Sequence, residues 1–217
     1  MRDLWAFDLD GTLYDDTLLH AQFMEILIQY VSNLLALSHE QVHEELHRIK
    51  EKWNTEFSVI ALMWEYGIEF NHLVSMTYGA LKLEGNVLRP DPVREQALSR
   101  IDGYKVVFTN SPSRFALHVL AYNGLLTCVM DLIGIRELGF VGKPHPGAYQ
   151  NMEERFPLTG PSIFRMDSYT LCDDSLANLD VAKSRGWRTI WYRKPGVIET
   201  TSEHHIISSF EELEHVF

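Results

Sequence analysis

Cysteine is scarce in this chain. Two of 217 residues, Cys128 and Cys172, are too few and too far apart to make a disulfide framework or a zinc knuckle, so a reducing, cytoplasmic setting is the expectation. Basic residues are outnumbered: 19 Lys and Arg stand against 30 Asp and Glu, a formal charge of −11. A surface of that sign repels polyanions, which argues against a nucleic-acid polymer or an anionic membrane as partner but leaves room for a small anion in a locally positive pocket. Long apolar runs are missing too. The nearest approach to a membrane span, residues 23–37, is interrupted by Glu25, Gln29, Ser32 and Asn33. The N-terminal run from Met1 to Asp8 turns acidic after a short apolar stretch, which leaves no room for a signal-peptide core. There is no internal repeat and no low-complexity segment.

What is present suits a folded protein. Hydrophobic residues make up 46% and charged residues 23%, enough apolar material for a core. The length allows one α/β domain with a modest insertion, or two small domains. Residues 4–7 form a short apolar run that ends in acidic residues and Gly11, the pattern of a buried parallel strand entering a loop. From Thr17 the period becomes helical, with Leu19, Phe23, Ile26, Leu27, Tyr30, Val31 and Leu34 at spacings of three and four. Ser38 and Gln41 form a capping box that opens a second helix carrying Val42, Leu46, Ile49 and Trp53 on one face. Two further helical segments are predicted over 58–66 and 70–83, so residues 16–85 read as a block of helices without a strand.

Asp91 and Pro92 then cap a short helix to Ile101, and strands and helices begin to alternate. Strands are predicted over 105–109, 169–172 and 189–192, with an apolar stretch near 132–135. Helices are predicted over 113–123, 146–156 and 176–185, and a last one over 210–216 that Ser209 caps. Such alternation demands parallel strands with helices on their faces. The expected fold class is therefore α/β: a Rossmann-like parallel-sheet core from residues 1–15 and 86–217, with the all-helical block 16–85 inserted after the first strand.

Four polar clusters stand where predicted strands end, the place where open α/β sheets bind ligands. They are Asp8 with Asp10 and Thr12; Thr109 with Asn110 and Ser111; Lys143; and Asp173 with Asp174. An Asp-x-Asp pair alone is more often a turn or a helix cap. Residues two apart in an extended segment face one side, however, so Asp8 and Asp10 can aim at one point while Gly11 lets the chain turn away. Carboxylates gathered there repel unless a cation joins them. All-oxygen ligands suit a hard divalent ion, and few carboxylates suit Mg²⁺. Lys143 adds a positive charge, and Thr109, Asn110 and Ser111 offer donors to phosphate oxygens.

The runs Phe7-Asp8-Leu9-Asp10-Gly11-Thr12-Leu13-Tyr14, Phe108-Thr109-Asn110-Ser111, Gly142-Lys143-Pro144-His145-Pro146 and Cys172-Asp173-Asp174-Ser175 with Asn178 together resemble the motifs of the haloacid dehalogenase-like hydrolase superfamily. The resemblance implies that the helical block is a cap that selects substrate. It implies that Asp8 attacks phosphorus to form an aspartyl phosphate, and that Asp10 serves as general acid and then base. It further implies that Thr109 and Lys143 hold phosphoryl oxygens, and that Mg²⁺ is bound by Asp8, the backbone carbonyl of Asp10 and the final acidic pair. Within that pair Asp174 aligns as direct ligand, with Asp173 as an outer-sphere or second ligand and Asn178 orienting the loop. Dehalogenases of the superfamily lack the second aspartate, so Asp10 points to phosphate esters.

A finer resemblance, to the pyrimidine 5′-nucleotidase branch, makes nucleoside monophosphates the expected substrates. Trp53, Asn54 and Phe57 could then stack on and hydrogen-bond a base, although Trp53 and Phe57 also read as core of the helical block. Phosphatases of sugar phosphates or of small metabolites such as phosphoglycolate are the alternative within enzymes. A non-catalytic binding protein of the same fold is the alternative outside them. His39, His43 and His47, at four-residue intervals, span too much helix for one ion and read as a solvated flank. His145 reads as structural, Cys172 as a buried thiol, and His204-His205 has no visible partner.

Overall fold

The computed structural model describes residues 3–84, 87–159, 163, 165–194, 196 and 203–216. The chain divides into two compact units, one of residues 1–15 and 84–217 and one of residues 16–83. The first holds a six-stranded sheet: β1 (Asp3–Phe7), β2 (Tyr104–Phe108), β3 (Asp131–Ile133), β4 (Ser168–Asp173), β5 (Arg188–Tyr192) and β6 (His205–Ile207). Every neighbouring pair is parallel, and the order across the sheet is β3-β2-β1-β4-β5-β6. The chain thus winds outward in one direction from β1 and in the other from β4. The order reverses between those two central strands, which is where doubly wound sheets open a crevice at their carboxyl ends.

Both faces of the central strands are buried, and successive residues pack on opposite sides of the sheet. Leu4 and Ala6 of β1 join one layer of core with Val106, Phe108, Leu171 and the aromatic rings Tyr149, Phe156 and Trp187. Phe7 faces the other side, where its ring lies 6.3 Å from Phe210. Leu4 and Phe7 are wholly buried, and each contributes about 1.5–3 kcal/mol on leaving water.

The second unit is all-helical: α1 (Thr17–Leu35), α2 (His39–Lys52), α3 (Ser58–Tyr66) and α4 (Phe70–Met76). The predicted capping box is present, with Gln41 N donating to Ser38 Oγ at 3.3 Å and Ser38 N to Gln41 Oε1 at 2.9 Å. The helix expected to run to Leu83 stops at Met76. Thr77 turns its hydroxyl back onto the Leu73 carbonyl at 2.7 Å, and a short 3₁₀ turn, Tyr78–Ala80, follows. His39, His43 and His47 are exposed along α2, as a solvated flank requires.

In the first unit α5 (Pro92–Arg100), α6 (Ser113–Tyr122), α7 (Pro146–Arg155) and α8 (Leu176–Ser184) connect the strands. The last predicted helix is instead a 3₁₀ segment, Phe210–His215, opened by a capping box of Ser209 and Glu212. Six residues are too few for an α-helix to gain much over tighter i→i+3 bonding. Strand β6 was not expected from the sequence. It is three residues long and begins at His205, where no apolar run announces it. His204, expected to lack a partner, is buried between Thr189 Oγ1 at 2.8 Å and Asp180 Oδ1 at 3.1 Å. Those partners lie 15 and 24 residues away, beyond any local pattern.

Candidate active site

Strand β1 ends at Phe7, yet its ladder continues one bond further, from Asp8 N to Cys172 O at 2.9 Å. That bond places Asp8 beside the end of β4, where Asp173 closes the strand. The chain then turns tightly: Thr12 N and Leu13 N both donate to Leu9 O, at 3.3 and 2.9 Å. Gly11 sits in this turn at φ +80°, a conformation that costs an L side chain about 1–2 kcal/mol. Space is a second reason for glycine there. A Cβ at this position would lie 2.2 Å from Lys194 Nζ and 2.6 Å from Asp174 Oδ2.

Lys143 binds the acids together. Its side chain is wholly buried, and Nζ donates to Asp8 Oδ1 and to Asp173 Oδ2, each at 2.7 Å. The ammonium also lies 5.0 Å from the centroid of the Phe108 ring, a cation–π contact. Two features hold the lysine in place. The Lys143–Pro144 peptide is cis, and Asn110 clamps the Lys143 backbone from both sides, Nδ2 donating to Lys143 O at 2.9 Å and Oδ1 accepting from Lys143 N at 2.8 Å. The Asn110 amide is therefore spent on positioning the lysine rather than aimed at a ligand. His145 is structural as expected, its Nδ1 accepting from Gly147 N at the start of α7.

Asp173 is saturated with donors. Oδ1 accepts from Ser175 N and Asn178 Nδ2, both at 2.9 Å, while Oδ2 accepts from Lys143 and from Asn178 Nδ2 at 3.1 Å. Asp174, one residue on, pairs instead with Lys194 at 2.8 Å and keeps part of its side chain in solvent. One oxygen each of Asp8, Asp173 and Asp174 lie within 4.8 Å of one another. Thr12 Oγ1 donates to Asp8 Oδ2 at 3.3 Å.

Asp10 has its own set of partners. Tyr14 Oη donates to Oδ1 at 2.6 Å, and Ser111 Oγ and Thr109 Oγ1 donate to Oδ2 at 2.7 and 3.3 Å. Thr109, wholly buried, also accepts from Ser111 N at 3.0 Å.

The electrostatics follow from this crowding. Burial, together with the charges of Asp173 and Asp10, pushes the Asp8 carboxyl well above the usual range against the pull of Lys143. Burial alone would lower Lys143, but Asp173 and Asp8 outweigh it and the ammonium is held charged. Burial next to these acids likewise pushes the Cys172 thiol upward, which leaves it inert. With all four ionised, the carboxylates of Asp8, Asp10, Asp173 and Asp174 against the ammonium groups of Lys143 and Lys194 leave two negative charges, which one divalent cation would balance. All-oxygen donors at this spacing fit a hard ion such as Mg²⁺.

Of the residues singled out in the sequence, Asp8, Asp10, Thr12, Thr109, Asn110, Lys143, Asp173, Asp174 and Asn178 thus gather at the carboxyl ends of β1, β2 and β4, in the loop before α7 and in the first turn of α8. Trp53, Asn54 and Phe57 belong to the helical unit. Trp53 closes α2 with its ring 5.8 Å from that of Trp64 and its indole N–H on Glu65 at 2.9 Å. Asn54 is exposed at φ +46°, and Phe57 is the half-buried cap of α3. Sequence reasoning missed Lys194, although the rule that found the other clusters, polar residues just past a strand, applies to it after β5.

The family model for haloacid dehalogenase-like hydrolases matches residues 3–166. No curated protein matches. Among solved structures, a HAD phosphatase from Thermococcus onnurineus aligns with a TM-score of 0.66 at 19% identity over 100% of this chain and 97% of that one. YfnB of Bacillus subtilis, a candidate HAD hydrolase solved with magnesium bound, aligns with a TM-score of 0.63 at 20% identity over 99% and 98%. The L-2-haloacid dehalogenase of Xanthobacter autotrophicus with covalently bound chloropropionic acid aligns at 0.55 and 14% over 99% and 98%. At these identities the likeness is one of fold.

Proposed function

We propose, from the premise that the chain belongs to the haloacid dehalogenase-like hydrolase family, that it is a Mg²⁺-dependent phosphomonoester hydrolase acting on small molecules, with nucleoside 5′-monophosphates as substrates. The observation that carries this reading is the pairing of two differently prepared acids. Asp8 lies against the Lys143 ammonium and near Asp174, where a nucleophile needs its charge balanced. Asp10 accepts instead from the hydroxyls of Tyr14, Ser111 and Thr109, which orient it for the separate task of exchanging a proton with the leaving group and with water. A halide leaves without protonation, so a dehalogenase has no use for the second acid.

In this reading an Asp8 oxygen attacks phosphorus while Asp10 protonates the departing ester oxygen. Asp10 then takes a proton from the water that hydrolyses the aspartyl phosphate. Lys143 and Thr109 stabilise the phosphoryl oxygens, and Asn110 holds Lys143 in register for that task. Asp8, the Asp10 carbonyl and Asp174 would hold Mg²⁺, with Asp173 outside the first sphere because its lone pairs are already taken. When bound, the ion neutralises charge on the transferring group and orients it.

The test is turnover by purified protein of UMP, CMP, AMP, phosphoglycolate, hexose phosphates and L-2-chloropropionate, with Mg²⁺ or with chelator, beside Asp8→Asn. Mg²⁺-dependent phosphate release from the nucleotides, abolished in the variant, is expected. Release from sugar phosphates or phosphoglycolate alone would overturn the nucleotidase assignment and leave the mechanism. Halide release would overturn the phosphatase assignment, and no turnover at all would leave a binding protein.

A further inference from the structure

The geometry points to Tyr14 as the positioning residue for Asp10: its phenol, acting with the hydroxyl of Ser111, fixes the plane of the carboxyl that protonates the leaving group. This inference rests on the phosphatase reading above.

The terminal torsion of an aspartate is broad and two-fold, so one hydrogen bond leaves the carboxyl plane free to swing. Here the two oxygens are held separately. Tyr14 Oη reaches Oδ1 at 2.6 Å from within the turn after β1, and Ser111 Oγ reaches Oδ2 at 2.7 Å from the loop after β2. Donors on opposite oxygens, from separate segments, remove that rotation. Both struts are stiff. The Tyr14 ring is 5% exposed and sits at the end of the turn closed by the Leu9 carbonyl, and Ser111 is anchored by its own N–H on Thr109 Oγ1.

The consequence lies in one half-reaction. As the P–O bond to the leaving group breaks, its electron pair departs on the ester oxygen and the Asp10 proton moves to that oxygen, leaving Asp10 as the carboxylate. Water attacking phosphorus of the Asp8 phosphate later gives a proton to Asp10, while the P–O bond to Asp8 breaks with its electron pair on the Asp8 carboxylate and phosphate is released. Tyr14 keeps its own proton throughout. A misaligned Asp10 therefore hurts esters whose alkoxide must be protonated, and spares esters whose leaving group departs as a stable anion. A tyrosine serving only as core packing would show no such division, since Phe fills the same space.

The experiment is single-turnover release of the alcohol or phenol from UMP and from 2,4-dinitrophenyl phosphate, by wild type, Tyr14→Phe and Asp10→Asn with Mg²⁺. General acid catalysis contributes roughly 10²–10⁴-fold, so Tyr14→Phe is expected to slow UMP about tenfold or more. The aryl ester should stay within about twofold, with Asp10→Asn showing the same split more steeply. Equal loss on both esters, or no loss on either, would overturn the role of Tyr14 while leaving the phosphatase standing. Wild type inactive on both would overturn the phosphatase reading and this inference with it. Thermal unfolding checks that Tyr14→Phe folds; should it not, Ser111→Ala removes the shorter of the two hydrogen bonds on the opposite oxygen, leaving that of Thr109 Oγ1 at 3.3 Å, and must show the same split.

Discussion

Replacing Lys143 by Met keeps the length of the buried side chain and removes its charge, so the outcome is a direct measure of what holds the acids together. Nζ stands 2.7 Å from an oxygen of Asp8 and 2.7 Å from one of Asp173. At an effective dielectric of about 20, each contact is an attraction of roughly 6 kcal/mol, a ceiling because desolvation offsets much of it. Breaking a buried pair from one side typically costs about 3–5 kcal/mol. The stranded carboxyl has an escape, which is to take up a proton. For an aspartate of ordinary pKa that costs about 4 kcal/mol at neutral pH, and less for Asp8, whose pKa is already raised. Lys143→Met is therefore expected to lose about 3–4 kcal/mol near pH 7 without metal, or roughly 6–15 °C in Tm for a chain of this size. The penalty should shrink as pH falls toward 5, because protonation of the acids becomes cheap. The double variant Lys143→Met with Asp173→Asn should recover at least half of the loss, since it removes both members of one pair. Thermal and denaturant unfolding of chelator-treated protein at two pH values reads all three. A single variant within about 1 kcal/mol of wild type at neutral pH, or a penalty independent of pH, would refute the view that these carboxylates depend on that ammonium.

Gly11→Ala should lower Mg²⁺ affinity, measured by calorimetry, more than it lowers Tm, because the added methyl displaces Asp174 and the flexible end of Lys194 rather than core. The strained φ still costs about 1–2 kcal/mol. Asn110→Ala opens the clamp on the Lys143 backbone and is expected to reduce kcat for phosphate release by about 10–100-fold with a smaller change in KM, because a displaced Lys143 acts chiefly in the transition state. Glu153 carries a stability effect of the same pH sense as that of Lys143, in a more acidic range. Burial pushes its carboxyl up, but hydrogen bonds from Arg185 and Trp187 outweigh that and hold it below the usual range. The wild-type advantage over Glu153→Gln should accordingly be complete above the ordinary glutamate pKa of about 4.3 and vanish as pH falls through the lower folded value, as read by denaturant midpoints between pH 3 and 7.

How far the sequence spoke depended on how local the cause was. The strands β1, β2, β4 and β5 were legible because short apolar runs end abruptly in polar residues, and the clusters at those ends followed from the same contrast. The capping box at Ser38 needs only residues three apart, and it stands as expected. The break at Thr77 escaped because a threonine hydroxyl can either face solvent or take the carbonyl four residues back, and helical periodicity continues through it. Strand β6 and the buried His204 depend on partners that folding alone supplies. Within the site, residue types were legible while their pairings were not. Nothing in the spacing says that Lys143 bridges Asp8 and Asp173, 135 and 30 residues away. Nor does it say that the Asn110 amide is committed to a backbone rather than to a ligand.

The adjacent acids Asp173 and Asp174 show what pairing adds to residue type. Alternation along an extended chain sends consecutive side chains in opposite directions. Asp173, the last residue of β4, enters the wholly buried layer, where Lys143, Asn178 and the Ser175 N–H supply donors to both of its oxygens. A carboxylate accepts about four such bonds, so Asp173 has little left to give a cation directly, and its negative charge serves to keep Lys143 protonated in a dry place. Asp174 falls on the outer side, with water and Lys194 for company. An ammonium on a flexible stem is a counter-ion that can be displaced, whereas one buried between two carboxylates cannot move without stranding both. Asp173 therefore helps to fix Asp8 and Lys143, and under the proposed function Asp174 is the member of the pair that would exchange its partner for a metal ion.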